Sequence, residues 1–214
     1  MALKSGSMSW RSFQIQEGSS CLSLNRQEIL EGLDGTAFRD PDVDAGETES
    51  EGFVVHDEIL NTDFEAASEQ TFVGSYMIVT YRRDRLRIPS AYLKALVEAE
   101  ISNIQARTGK DFVGRAQKTA VREEIQRMLL KRALPAVQKA EVLWAFDSNI
   151  VRVFAGSAGL AEAACSAFEE AFDARLLPLE PFTRLLDHGW SEEKLEKSVP
   201  PAPLFVPALI EKTP

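Results

Sequence analysis

The chain switches between two hydrophobic periods, and the order of the switches predicts its fold. Residues 10–16, Trp-Arg-Ser-Phe-Gln-Ile-Gln, alternate apolar and polar, the period of a half-buried strand. Between Leu24 and Leu33, Ile29, Leu30 and Leu33 fall at helical spacing. Ser23 or Asn25 can cap that helix, and Gly32 and Gly35 are expected to help end it. Gly52 to His56 reads as a short strand. Phe72 to Ile88 is the longest strand pattern. Tyr76, Ile78, Thr80 and Arg82 lie on one side of it, and Met77, Val79 and Tyr81 on the other. Apolar residues on both sides predict a central strand that turns basic and exposed toward Arg82–Arg87. Pro89 suits a first helical turn and starts a new element.

The stretch from Ser90 to Arg107 predicts a helix. Leu93, Leu96, Val97, Ile101 and Ile104 form its stripe, Glu100 is the one polar member, and Gly109 stops it. Lys118 to Leu134 predicts a second helix with Val121, Ile125, Met128 and Leu129 on one face, ended by Pro135. Glu141–Phe146 and Ile150–Ala155 predict a hairpin across Asp147-Ser148-Asn149. Ser157 can cap a helix through Phe172 whose inner face holds Leu160, Ala164, Phe168 and Phe172. Leu176 to Leu179 reads as a last short strand. The order βαββ, αα, ββαβ points to an α+β fold, with mixed or antiparallel sheets, hairpins and about four helices, rather than a doubly wound parallel sheet. Residues 1–8 are small and polar and are expected to be flexible. The main region is expected to span 9–186. Beyond it, 187–214 turns to charge and then to Pro200, Pro201, Pro203 and Pro207, the pattern of an extended, weakly held tail.

Composition changes this picture little. Hydrophobic residues make up 44% of 214, enough for a core of useful size. No run of 18 uncharged apolar residues offers a membrane span, and the N-terminus lacks the apolar run of a secretory signal. Cys21 and Cys165 stand far apart and fit no metal-ligand spacing, so two reduced thiols in a cytosolic protein are expected.

Charge changes it more. The net charge is −9, but between Thr80 and Ala140 fourteen basic residues meet six acidic ones, an excess of +8. The remainder therefore carries −17, and a basic centre sits between acidic flanks.

Catalytic constellations are scarce. His56 is followed by Asp57 and Glu58, so a His-carboxylate metal site is imaginable. With no second His or Cys nearby, a strand-end histidine before an acidic turn is the better reading. His188, next to a glycine, reads as a helix C-terminal residue. The acidic stretch 40–51 lacks the glycine and glutamate placement of a calcium loop and reads as an exposed loop. There is no GxxxxGK[ST] and no GxGxxG, and Ala155 to Gly159 lacks the spacing of a nucleophile elbow. No cofactor, metal or catalytic residue is expected. The remaining lead is the basic block 76–135. Arg82, Arg83, Arg85 and Arg87 close its strand, and Lys110, Arg115, Lys118, Arg122, Arg127, Lys131 and Arg132 decorate its helical part; Arg82, Arg83, Arg85, Lys118, Arg122, Arg127 and Lys131 are the expected contacts. Each cation can neutralise a phosphate and release a counterion. Lys118 and Arg122 share one stripe and Arg127 and Lys131 another, so no single clean face results. Tyr76, Tyr81 and Tyr92 are few for base stacking, which favours backbone contacts over sequence readout. The alternative is a protein-interaction module that docks its partner through the acidic loop or the tail.

The central segment resembles a known family. Tyr76-Met77-Ile78-Val79-Thr80-Tyr81-Arg82-Arg83-Asp84 leads through Arg87-Ile88-Pro89 into a long helix. A Thr-Gly-Lys break and a second basic helix follow, ending Leu129-Leu130-Lys131-Arg132-Ala133-Leu134-Pro135. Then come Val142-Leu143-Trp144-Ala145-Phe146-Asp147 and a helix ending Phe168-Glu169-Glu170-Ala171-Phe172 before Leu177-Pro178-Leu179. With Ala37-Phe38-Arg39 and Gly52-Phe53-Val54, this succession resembles the recombination-associated RdgC family over roughly residues 9–182. The resemblance implies a bacterial, cytoplasmic, nucleoid-associated homodimer. Such a protein would bind double-stranded DNA without marked sequence preference and modulate recombination. The family sometimes carries a nuclease label, for which this sequence offers no acidic metal cluster or nucleophile. Family members run to about 300 residues, so the resemblance covers a shortened chain.

Overall fold

A computed structural model describes residues 9–109 and 111–179, together with Gly189, Ser191 and Lys194. The expected flexible N-terminus and nearly all of the expected tail lie outside the described residues, as does His188. The chain divides into two compact units, Met1–Leu177 and Pro178–Pro214. The second has few described residues; in it the Ser191 hydroxyl accepts from the Lys194 backbone N–H.

The first unit is α+β. Strand β1 (Trp10–Ile15) is followed by a single 3-10 turn and helix α1 (Arg26–Gly35). Asn25 caps α1 reciprocally with Glu28: its side chain accepts from the Gln27 and Glu28 N–H groups, and Glu28 accepts from the Asn25 N–H. Strand β2 (Glu49–Val55), a four-residue helix α2 (Ser68–Thr71), β3 (Phe72–Val73) and β4 (Tyr76–Leu86) follow. Next come α3 (Ser90–Thr108), α4 (Arg115–Leu130), β5 (Pro135–Ala145), β6 (Ile150–Phe154), α5 (Ala158–Phe172) and β7 (Leu176–Pro178). The strands form one sheet in the order β2-β4-β5-β6-β1-β7, with β3 also on β4. The ladders joining β2, β4, β5, β6 and β1 are antiparallel.

Three sequence boundaries move. The single strand expected over 72–88 is a hairpin, because Gly74 at φ 63° turns β3 back on β4. The helix expected to run to Leu134 stops at Leu130, and Pro135 opens β5 instead of merely ending the helix. Glu49 to Glu51 belong to β2 rather than to the acidic loop. Gly32 does not end α1 either. A Cβ there would lie 2.6 Å from the Ala171 carbonyl oxygen, so Gly32 sets the close approach of α1 and α5.

The core lies between one face of the sheet and α1 and α5. Phe53, Met77, Val79, Tyr81, Val142, Trp144 and Val151 meet Leu33, Ala164, Phe168 and Phe172 there. Trp144 packs edge-on to Phe168 at 5.4 Å, and Phe168 to Phe172 at 4.7 Å. The α3–α4 pair is different. Its helices pack on one another, and α4 buries Leu130 alone. It projects from the tip of the β4–β5 ribbon, which stays paired out to Leu86 and Pro135. Because β6 reaches only Glu141–Ala145, the outer part of this ribbon keeps β2 alone at its side, paired out to Glu49–Arg85, and with the helices it forms an arm.

Candidate nucleic-acid interface

The period of two along β4 splits the arginine cluster. Arg83 and Arg85 lie on the same face as Tyr81; Arg82 and Asp84 lie on the other. Arg82 is only 5% exposed and Asp84 is fully buried. The Arg82 guanidinium donates to both Asp84 carboxylate oxygens at 2.8 and 2.6 Å and to the Ile59 carbonyl at 2.7 Å. It also stacks 4.0 Å from the centroid of Phe38. Three of its five N–H groups are donated, two of them to a buried carboxylate, and its face is covered by a ring, so Arg82 is a structural cation. The expectation that this strand turns basic and exposed from Arg82 is corrected here: the alternation buries its first arginine.

Arg83 and Arg85 meet the acidic segment that precedes them. Arg83 lies 2.6 Å from Glu51 and also donates to the Tyr81 hydroxyl at 3.3 Å. Burial would raise the Glu51 carboxyl, but hydrogen bonds with Tyr81 and Arg83 carry it below its ordinary range. Tyr81 moves up, through burial and the Glu51 charge. Arg85 Nε sits 3.1 Å from Glu49 Oε1 without the alignment of a hydrogen bond, so this is a charge contact. Lys131, which follows the last residue of α4, reaches Asp44 at 2.7 Å. The acidic stretch is therefore not a free loop. Glu47 grips Arg39 and accepts from the Asp42 N–H, and the Asp42 side chain accepts from the N–H groups of Asp44 and Ala45. The Ser50 hydroxyl donates to the Arg39 carbonyl.

The α4 cations stand apart from this network. Lys118, Arg122 and Arg127 are all exposed. Arg127 pairs with Glu124 one turn away at 3.2 Å, an exposed contact of small worth. Lys118 lies 5.6 Å from the ring of Phe112, itself 73% exposed. Arg122 makes no ion pair among the described residues. Arg115, the first residue of α4, is likewise exposed, and with Lys118 and Arg122 it follows the i, i+3, i+7 stripe of one helix face. Arg115 belongs to the basic block in sequence but not to the expected contacts, because the helix was expected to begin at Lys118 and begins at Arg115 instead. So the seven expected contacts separate into one buried cation, three neutralised by the acidic segment and three displayed on α4.

A second cluster joins residues far apart in sequence. His56, Asp57 and Glu141 bring one ligand-type atom each within 4.8 Å of one another. Glu58, the expected third member, turns away to Asn61 and Gln70. Asp57 and Glu141 are each engaged in interactions of their own. Both cysteines are free and buried. Among the described residues no helix is long and apolar enough to cross a membrane.

An antiparallel α+β sheet with a cation-bearing helical arm defines the class of protein. The chain belongs to the RdgC family: the family model described as "Putative exonuclease, RdgC" matches residues 10–186. No curated protein matches the chain.

Proposed function

We propose that this protein is a non-enzymatic DNA-binding member of its family that grips the double-stranded backbone without reading sequence. In this role it acts as a nucleoid-associated homodimer that modulates recombination. The observation that carries the reading is the display of Arg115, Lys118, Arg122 and Arg127 along a helix that projects from the sheet and buries one residue. Cations on such a helix reach phosphates without disturbing the core, and nearby aromatic side chains are too few to stack a series of bases. From Arg115 to Arg122 the stripe runs about 10 Å, a length that meets several phosphates of a duplex.

The test is binding of the purified full chain to a labelled random-sequence duplex, titrated from low to physiological salt. The expected result is micromolar or tighter binding at low salt with a steep negative salt slope. Replacing Lys118, Arg122 and Arg127 together by glutamate is expected to weaken binding at least tenfold and to flatten the log–log slope by about 3, near 0.9 per lost phosphate contact. Unchanged affinity in that variant would remove α4 from the interface.

A further inference from the structure

We infer that the acidic segment Asp40–Glu51 is a built-in competitor of DNA, occupying part of the basic surface that a phosphate backbone would use; this rests on the DNA-binding reading above. Three of its carboxylates sit on three arm cations. Asp44 holds Lys131 at 2.7 Å, Glu51 holds Arg83 at 2.6 Å, and Glu49 contacts Arg85 at 3.1 Å. These cations come from both β4 and the end of α4, so one segment spans the two basic parts of the arm. Its shape is held from within. Asp42 organises the turn, the Glu47 N–H donates to the Asp42 carbonyl, and Gly46 takes the left-handed φ of 90° that closes it. Thr48 then fixes its exit by accepting from the Leu86 N–H at 2.8 Å.

The energetics suit displacement. All three carboxylates keep at least half of their side-chain exposure, while Arg83 and Arg85 keep 17% and 34%; the Lys131–Asp44 pair, exposed on both sides, contributes only about 0–1 kcal/mol and opens first. A duplex that offers many phosphates can replace them, at the cost of breaking three contacts first. The segment therefore sets a threshold, and the net charge of −9 is in part the signature of a surface that covers its own cations. Any cation or partner that neutralised the segment would expose the surface.

The test compares the wild-type chain with Asp44→Asn/Glu49→Gln/Glu51→Gln on a labelled duplex across salt. A second variant, Glu31→Gln/Glu65→Gln/Glu69→Gln, raises the net charge by the same amount at exposed sites outside the segment. The first variant is expected to bind about tenfold more tightly, with a salt slope steeper by about 1–3. The control is expected to gain twofold or less. Equal gains in the two variants, or no gain in the first while the wild type binds, would overturn the competitor. Absence of binding in all three proteins would instead overturn DNA binding itself. Circular dichroism checks that each variant keeps its fold. A destabilised first variant is replaced by Asp44→Asn alone, which leaves the sheet untouched and is expected to gain two- to threefold; no gain in it would count against the inference.

Discussion

Helices α5 and α4 are almost equal in length, and they spend their residues in opposite ways. Of its fifteen residues α5 buries six, with Phe168 and Phe172 meeting Trp144 in the core. Of its sixteen α4 buries one. The first holds the sheet together, and the second leaves its side chains for something else. Stability and display thus occupy different parts of one chain, joined through the β4–β5 ribbon and the Lys131–Asp44 contact.

That division can be broken most severely from the core. Trp144→Ala is expected to cost about 3–5 kcal/mol in urea denaturation, because it opens a cavity between the sheet and α5. Ile125→Ala, on the half-buried stripe of α4, is expected to cost about 1 kcal/mol or less. Comparable losses at the two sites would mean that the arm is as tightly integrated as the core.

The arginines sharpen the same contrast. Arg82→Met strands a buried Asp84 charge and is expected to cost about 3–5 kcal/mol. Arg122→Met is expected to leave the unfolding midpoint within about 0.5 kcal/mol of wild type. Replacing both Arg82 and Asp84 by apolar residues is expected to recover most of the first loss; no recovery would reject the ion pair as its cause.

The smallest effect concerns reactivity. Burial, aided by the nearby Glu169 charge, pushes the Cys165 thiol up to about 12. Folded protein therefore keeps a proton that the unfolded chain releases near 9.0, so this thiol lowers stability as pH rises between those values. At pH 8 an alkylating reagent is expected to leave Cys165 untouched in the native chain and to label it only on unfolding. A cysteine placed at Arg122 is expected to react at once. Rapid native labelling of Cys165 would show that α5 opens as readily as the arm.

Most of the element order was legible, because long runs with apolar residues at helical spacing, such as Ser90–Arg107 and Ala158–Phe172, carry that spacing over several turns. The stripe on α3 was legible as a helix but misleading about burial. Leu96, Val97 and Ile101 remain half-exposed, since hydrophobic spacing predicts a helix without saying what covers it. The arginine cluster was harder to read. A run of cations looks uniform in sequence, whereas the pleat sends Arg82 inward beside Asp84 and Arg83 toward Glu51. The pairing of Lys131 with Asp44 had no local signal, because it joins positions 87 residues apart. The likeness of the central segment did locate the family, which the matched span of 10–186 bears out.

The Leu86–Pro135 pair at the tip of the ribbon has an evolutionary meaning. Everything between those two residues hangs from one antiparallel strand pair, as a loop hangs from a β-hairpin. The strand register is closed before the helices begin, so a change of charge on their exposed face asks nothing of the sheet, and grip on a ligand is free to drift faster than the scaffold that carries it.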